Sequence, residues 1–212
     1  MMLSGQHCVD LIHAMQEAIE ANRDNLSALD AATGDGDHGV NLATAAKLAA
    51  NEVKTLEDPT PADVMKKVGS TLINDMGGAS GAIFGSFFRG GSKAIKEVDQ
   101  LGLDTFSAFA EAGLVMVQKR GKAQPGDKTL VDALHPAVAA LKDGINSGSS
   151  LPKALAQAAE AAQAGAEKTA EMVAKFGRAK FLGERSIGHQ DAGATSMALI
   201  LTAWAEQLAN NK

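Results

Sequence analysis

Three carboxylates, Asp30, Asp35 and Asp37, lie close together in a glycine-rich part of the sequence. The neighbouring glycines let the chain turn sharply, and the two-residue spacing of Asp35 and Asp37 allows both side chains to point the same way. Like charges held close repel, so a cation must neutralise them. Carboxylate oxygens suit Mg²⁺, which usually binds a few carboxylates together with phosphates. The spacing therefore predicts a magnesium site. The alternative is a solvated acidic turn in which Asp37 caps the next helix.

Three familiar motifs are excluded for the segment 34–39, which reads GDGDHG. It fits the dinucleotide pattern G-x-G-x-x-G, but no buried strand precedes it and its carboxylates would repel a pyrophosphate. It is not an EF-hand, because Val40 and Ala46 stand where that loop requires glycine and glutamate. A P-loop is excluded because no Gly-Lys pair is followed by serine or threonine.

Three further segments carry weaker signals. Residues 77–81, GGASG, suit either an anion-binding nest of amides or close helix packing. In the loop 120–128, Lys128 suits either a phosphate partner or an exposed turn. In the segment 178–193, Arg178 can bind phosphate bidentately or form a surface salt bridge, and His189 can be catalytic or structural.

The elements that must position these residues are helices. Apolar residues recur at helical spacing, alanine is abundant and no segment reads as a convincing strand. Proline and glycine mark the breaks between the segments. The pattern predicts eight helices, at about 6–23, 39–54, 61–76, 79–95, 103–119, 129–145, 151–174 and 192–208.

Composition narrows the class of protein. The 212 residues suit a single domain, 1–212, with 45% hydrophobic residues and a net charge of −5. That charge argues against nucleic acid as a direct partner. Cys8 is the single cysteine, which excludes an internal disulfide. The N-terminus lacks the features of a signal peptide, and no apolar run is long enough to span a membrane, so we expect a cytoplasmic protein.

The motifs gain specificity from their combination and order. They are LD at 29–30, GDGDHG at 34–39, GGASG at 77–81, RGKA at 120–123, PGDKT at 125–129 and GERSIGHQD at 183–191. In this order, over essentially the whole chain, the sequence resembles the L subunits of dihydroxyacetone kinases. The resemblance implies an all-α fold, an eight-helix antiparallel barrel with a nucleotide site at one end.

The resemblance also implies a set of site residues. Two Mg²⁺ ions would be held by Asp30, Asp35 and Asp37, and this chain would supply no catalytic residue of its own. Ala192 stands where proline is common in the family, and Gly36 stands at a variable position. The residues implied to contact bound ADP are His38, Gly39, Val40, Asn41, Ala79, Ser80, Gly121, Leu130, Arg178, Asp191, Ala192 and Gly193.

The implied partners are a dihydroxyacetone-binding K subunit and a phosphohistidine donor of the phosphotransferase system, with a transcription regulator in some members. His38 favours the type that depends on a phosphoprotein. Two alternatives stay open. One is an ATP-dependent kinase component for another short ketose or a C4 sugar. The other is an ADP-loaded regulatory partner of a transcription factor.

Overall fold

The computed structural model describes residues 1–210, and nine α-helices and two 3₁₀ segments account for most of them. The 3₁₀ segments, Thr169–Glu171 and Ala179–Ser186, lie between the last two helices. The α-helices are α1 (Gly5–Ala21), α2 (Arg23–Ala31), α3 (His38–Val53), α4 (Pro61–Asp75), α5 (Gly78–Ala94), α6 (Leu103–Gly121), α7 (Leu130–Asn146), α8 (Leu151–Lys168) and α9 (Ala192–Asn210).

Eight of these helices form a closed ring. From α3 to α9 each helix packs against the next in the chain, α1 packs against α3, and α9 packs against α1. The helices alternate in direction, because α3, α5, α7 and α9 begin at the same end of the ring at which α4 and α6 end. The short α2 packs across α1, α3 and α9. The predicted all-α fold is confirmed, with α2 as an additional helix.

The helix starts follow from local side-chain chemistry. Thr60 and Asp63 form a capping box around the first turn of α4, and Pro61 occupies the first helical position. Thr129 and Asp132 form the same arrangement at the start of α7. Each box satisfies amides that have no partner within their own helix, and this fixes where the helix begins.

Aromatic rings fill the middle of the barrel. Phe87, Phe88, Phe106 and Phe109 pack with Trp204, with ring centroids 5.2–6.5 Å apart and mostly edge to face. All five side chains are fully buried. The indole nitrogen of Trp204 donates to the carbonyl of Leu11 at 3.0 Å, which joins α9 to α1 where the ring closes.

Glycines bring α4 and α5 into backbone contact. A Cβ on Gly85 would lie 2.7 Å from the carbonyl oxygen of Gly69, and one on Gly69 would lie 2.9 Å from the carbonyl oxygen of Gly85. Neither position tolerates a side chain without movement of the backbone. This contact sets α5 close to α4, and α5 begins at Gly78, within segment 77–81.

Two predictions about the helices were wrong or incomplete. Helix α2 was not predicted, because Leu26 is its one fully buried residue. The predicted end of α8 at residue 174 was wrong, because the α-helix ends at Lys168. The hydroxyl of Thr169 donates to Ala166 and accepts from the amide of Asp191, which turns the chain out of the helix.

Two further predictions concern the whole chain, namely a single domain and the absence of a membrane-spanning segment. The predicted single domain, 1–212, includes residues 211 and 212, which lie outside the described residues. Within the described chain, every helix is too short or too polar to cross a membrane.

Candidate functional site

A cavity of about 530 Å³ opens at the end of the barrel where four helices begin. The starts of α3, α5, α7 and α9 and the ends of α4 and α6 supply most of its walls. Residues 172–186, called the strap below, cover one side with Phe176, Gly177, Arg178 and Ala179. Helix N-termini present unpaired amides, so this end of the barrel suits an anionic ligand.

The three predicted carboxylates meet at the mouth of this cavity. Asp30 lies at the end of α2, and Asp35 and Asp37 lie in the turn before α3. One carboxylate oxygen from each lies within 4.8 Å of the others. Gly36 adopts a left-handed backbone, φ +77°, and the amide of Gly34 donates to the carbonyl of Asp30 at 2.5 Å, so the turn between them is tight.

This donor set fits a hard divalent cation. All three side chains offer oxygen atoms and all three line the cavity, which leaves further coordination positions for water or phosphate. Asp37 occupies the N-cap position of α3, but its side chain makes no capping hydrogen bond. Asp37 therefore does not cap α3 through its side chain, although it holds the N-cap position in an exposed acidic turn, as the alternative interpretation expects.

His38 is buried beside the carboxylates, with 7% of its surface exposed. Its Nε2 lies 2.8 Å from the hydroxyl oxygen of Ser196 on α9, and its amide donates to Asp30 Oδ2 at 3.3 Å. Burial lowers the pKa of the imidazole, with Asp30 and Asp37 opposing this effect. The neutral form of the imidazole is therefore favoured at pH 7, and its orientation is fixed by a partner on α9, which only α1 separates from α3 in the ring of helices.

Asp191 closes the site from the start of α9. Its Oδ2 accepts from the amide of Ala194 at 2.7 Å, which caps the helix. Burial raises the pKa of this carboxyl to about 6, and the nearby Asp132 adds to the effect while Lys128 opposes it. Ala192 follows as the first residue of α9, a position that suits proline. The turn therefore forms without the proline that is common there.

Thirteen of the fifteen predicted site residues line the cavity. They are Asp30, Asp35, Asp37, His38, Asn41, Ala79, Ser80, Gly121, Leu130, Arg178, Asp191, Ala192 and Gly193. The other two lie elsewhere. Gly39 packs against α2, where a Cβ would lie 2.0 Å from the carbonyl of Arg23, and Val40 is 52% exposed outside the cavity. Ligand contacts by any of these residues stay a prediction.

Lys128 does not lie in an exposed turn, and His189 does not lie at the cavity, so one alternative for each residue is not seen in the structure. The ammonium group of Lys128 donates to the carbonyls of Met172 and Ser186, so it is buried in the protein and is not an exposed turn residue. His189 is exposed and does not line the cavity.

The apolar wall of the cavity was not predicted from the sequence. The side chains that form it share no motif and come from five different places in the chain. They are Met76, Ile83, Phe84, Val117, Val131 and Phe176. A signal existed for two of them, because Ile83 and Phe84 lie one helical turn after Ala79 and Ser80 and therefore share their face. A flat, apolar ring fits such a wall.

The cavity thus combines an apolar wall, four helix N-termini and a cluster of carboxylates, which suits a nucleotide with a divalent cation at its phosphates. A model of the DAK2 domain family matches residues 32–206. The chain belongs to this family. The match contains α3 to α8 in full, most of α9, and the turn that carries Asp35 and Asp37.

The similar proteins include two kinases that differ in how much of their length this chain covers. The chain is 36% identical over 201 residues to the PEP-dependent dihydroxyacetone kinase, ADP-binding subunit DhaL, of Escherichia coli (strain K12), covering 95% of this chain and 96% of the relative. It is 37% identical over 200 residues to the L-erythrulose kinase of Pectobacterium atrosepticum (strain SCRI 1043), of which it covers 34%.

A solved structure supports the same assignment. The crystal structure of the dihydroxyacetone kinase from C. freundii in complex with AMP-PNP and Mg²⁺ superposes with a TM-score of 0.74 at 29% identity, covering 93% of this chain and 33% of that chain. The resemblance and the fold class are confirmed. The expectation of a phosphotransferase of the dihydroxyacetone kinase class is confirmed at the level of the family.

Proposed function

We propose that this chain is the nucleotide-binding subunit of a PEP-dependent dihydroxyacetone kinase. Bound ADP serves as a retained carrier of a phosphoryl group, which passes from a phosphohistidine protein of the phosphotransferase system to dihydroxyacetone held on a separate K subunit. The observation that carries the proposal is the placement of three carboxylates and an apolar wall in one 530 Å³ cavity. The relative from Escherichia coli, similar over nearly its full length, supports it.

The wall and the helix starts orient the nucleotide. Ile83, Phe84 and Leu130 present apolar surface to the cavity, which suits the adenine ring. Ala79 and Ser80 lie in the first turn of α5, where amides without helical partners can donate to phosphate oxygens. Gly121 and Gly193 let the ligand approach the backbone closely.

Asp30, Asp35 and Asp37 would hold two Mg²⁺ ions against the phosphates. When bound, the ions neutralise the phosphate charge and stabilise the charge that develops during phosphoryl transfer. The chain's own contribution is positioning. Asp30 is held by the end of α2 and by its bond to the amide of His38, and the neutral His38 is held by Ser196. Arg178 supplies positive charge from the strap.

No protein nucleophile is needed in this chain, because phosphoryl transfer depends mainly on alignment and charge neutralisation. The acceptor is held by the K subunit, so its identity depends on that partner. One similar protein is an L-erythrulose kinase. Its similarity supports a second candidate, an ATP-dependent kinase component for another short ketose or a C4 sugar. An ADP-loaded partner of a transcription regulator is a third candidate.

The deciding experiment measures what the purified protein carries. After gel filtration the protein is denatured, and the released nucleotide and magnesium are quantified. Nearly stoichiometric ADP supports a retained carrier. A protein that emerges empty and binds ATP weakly supports the ATP-dependent component. A protein that binds no nucleotide contradicts every version of the proposal.

Reconstitution separates the two kinase candidates. The protein is mixed with a K subunit and dihydroxyacetone, and phosphorylated product is measured with either a phosphohistidine donor system or ATP as the phosphoryl source. Product formed with the donor system and catalytic amounts of ADP supports the proposed relay. Retained ADP without any product, under conditions in which a known L subunit turns over, supports the regulatory candidate.

A further inference from the structure

Lys128 is the one fully buried lysine among the described residues, with 2% of its surface exposed. Its backbone is in the left-handed region, φ +59°, which is uncommon for a residue with a side chain. Such a conformation persists only where the surrounding contacts hold it. Burial lowers the pKa of the ammonium group, and Asp191 opposes the effect. The contacts of Lys128 must therefore compensate for a buried charge and an unfavourable backbone conformation.

The ammonium group of Lys128 holds both ends of the strap. Its Nζ donates to the carbonyl of Met172 at 3.2 Å and to the carbonyl of Ser186 at 2.5 Å. Inside the strap, the hydroxyl of Ser186 accepts from the amide of Ala174 at 2.9 Å. The two ends of the strap are thus fastened at one point, and Arg178 lies between them with its side chain 66% exposed.

The loop that carries Lys128 is itself fixed to the barrel. The carboxylate of Asp132, on α7, accepts from the amide of Gly126 at 2.5 Å and from the amide of Thr129 at 2.8 Å. Next to Lys128, Asp127 accepts from Lys175 Nζ at 2.7 Å, which adds a second attachment of the strap. Contacts therefore lead from α7 to Lys175 and Ser186, which lie on either side of Arg178 in the strap.

We propose that Lys128 is a positioning residue for nucleotide binding: it closes the base of the strap and so holds Arg178 over the cavity. Two of its three N–H donors are taken by backbone carbonyls of the strap, although Lys128 also lines the cavity, so the test below separates an anchoring role from a direct ligand contact. The inference about nucleotide affinity rests on the proposed function. The inference about the strap does not, because it can be tested in the protein without any ligand.

The test compares Lys128→Met with Lys122→Met. Lys122 lies in the same loop, also has positive φ at +63°, and is exposed outside the cavity, so it controls for loss of charge and for backbone conformation. Trypsin digestion of the nucleotide-free proteins is followed by mass spectrometry. The strap offers cleavage sites at Lys175, Arg178, Lys180 and Arg185, all exposed. We expect cleavage within the strap to be about tenfold faster in Lys128→Met only.

The second measurement is a double-mutant cycle on the Kd of ADP with Mg²⁺ present. We expect Lys128→Met to weaken binding about tenfold in the wild-type background and about twofold or less in the Arg178→Gln background. A direct contact between Lys128 and phosphate would instead give the same loss in both backgrounds.

Two results would overturn the proposal: a strap that is cleaved no faster in Lys128→Met, or equal losses of affinity in both backgrounds. If Lys128→Met does not fold, Lys128→Gln replaces it under the same criteria, because its amide still donates to one carbonyl. If the wild type binds no ADP, the proposed function fails. The cleavage assay then still decides whether Lys128 anchors the strap.

Discussion

Arg178 on the strap forms an ion pair with Asp35, one of the three carboxylates of the candidate metal site. The guanidinium group therefore neutralises part of the carboxylate cluster in the absence of a cation. Both side chains are partly exposed, 66% for Arg178 and 37% for Asp35, so the pair is weak enough to exchange partners. A metal ion at Asp35 and a phosphate at Arg178 would each replace one half of this pair.

Arg178→Gln is expected to change metal binding and nucleotide binding in opposite directions. Without nucleotide, Mg²⁺ should bind about three- to tenfold more tightly, because a competing cation is removed from Asp35. With Mg²⁺ present, ADP should bind at least about tenfold more weakly, because a charged phosphate partner is lost. Isothermal titration calorimetry measures both affinities. Arg185→Gln, an exposed arginine on the same strap, is the control and should change neither.

Asp35→Asn is expected to abolish the Mg²⁺-dependent part of ADP binding, because it removes one ligand charge from the cluster within 4.8 Å. Calorimetry with and without Mg²⁺ measures this part directly. Asp24→Asn is the control, since Asp24 is a 90% exposed acid on α2 away from the cavity. An Asp35→Asn protein whose ADP affinity still responds fully to Mg²⁺ would contradict the metal assignment.

Ser196→Ala is expected to weaken both the fold and the nucleotide site. It leaves Nε2 of the buried His38 without its partner at 2.8 Å, which costs about 1–3 kcal/mol of unfolding free energy. Ser86→Ala is the control, because that buried hydroxyl bonds only to Ala82 in its own helix. Urea denaturation measures the first effect, and ¹⁵N chemical shifts of the imidazole report the tautomer of His38.

The deciding measurement is the ¹⁵N chemical shift of the His38 ring nitrogens. If Ser196 fixes the tautomer, Ser196→Ala should shift the His38 signals toward a mixture, and Ser196→Thr should restore them. An unchanged His38 spectrum in Ser196→Ala would show that Ser196 does not control the orientation of the ring.

Asp191→Asn is expected to alter how the stability of the ligand-free protein depends on pH. The folded pKa of Asp191 is raised from 3.8 to about 6, so between these values the folded state binds a proton that the unfolded state does not. The stabilisation is fully present below pH 4 and is lost as pH rises through about 6. Asn keeps the cap and has no charge, so the variant should gain about 2–3 kcal/mol relative to wild type between pH 4 and pH 7.

Unfolding free energies of both proteins at several pH values test this. His38 and the other titrating groups are present in both, so the difference isolates Asp191. A difference that stays constant from pH 4 to pH 7 would mean that Asp191 titrates near its ordinary value in the folded protein.

The amphipathic helices were predictable because each buries one continuous apolar face. Helix α2 was not, since Asp24, Asn25 and Ser27 read as a polar connection and only Leu26 is fully buried. The prediction that the alanine-rich helix α8 continues to residue 174 failed for a different reason. Helical propensity favours its continuation, but Thr169 and Ala174 find hydrogen-bond partners in distant loops, and these tertiary bonds prevail.

Some features of the candidate site were also predictable from the sequence, and others were not. The meeting of the three carboxylates was predictable, because the glycines between them let the chain turn sharply. The apolar wall was only partly predictable, since Ile83 lies one helical turn after Ala79, whereas Val117 is indistinguishable in sequence from a core residue. The proposed anchoring role of Lys128 could not be predicted either, because its partners are backbone carbonyls 44 and 58 residues away, which no side-chain pattern encodes.

The bond between Trp204 and Leu11 gives the protein an optical property. Trp204 is the single tryptophan in a chain without tyrosine, so indole fluorescence arises from one fully buried point where α9 meets α1. Trp204 does not line the cavity, so a ligand bound there does not contact its ring. Separation of α9 from α1 would expose the ring to water and move its emission to longer wavelengths. A spectrometer can therefore observe the opening of the barrel apart from the filling of its cavity.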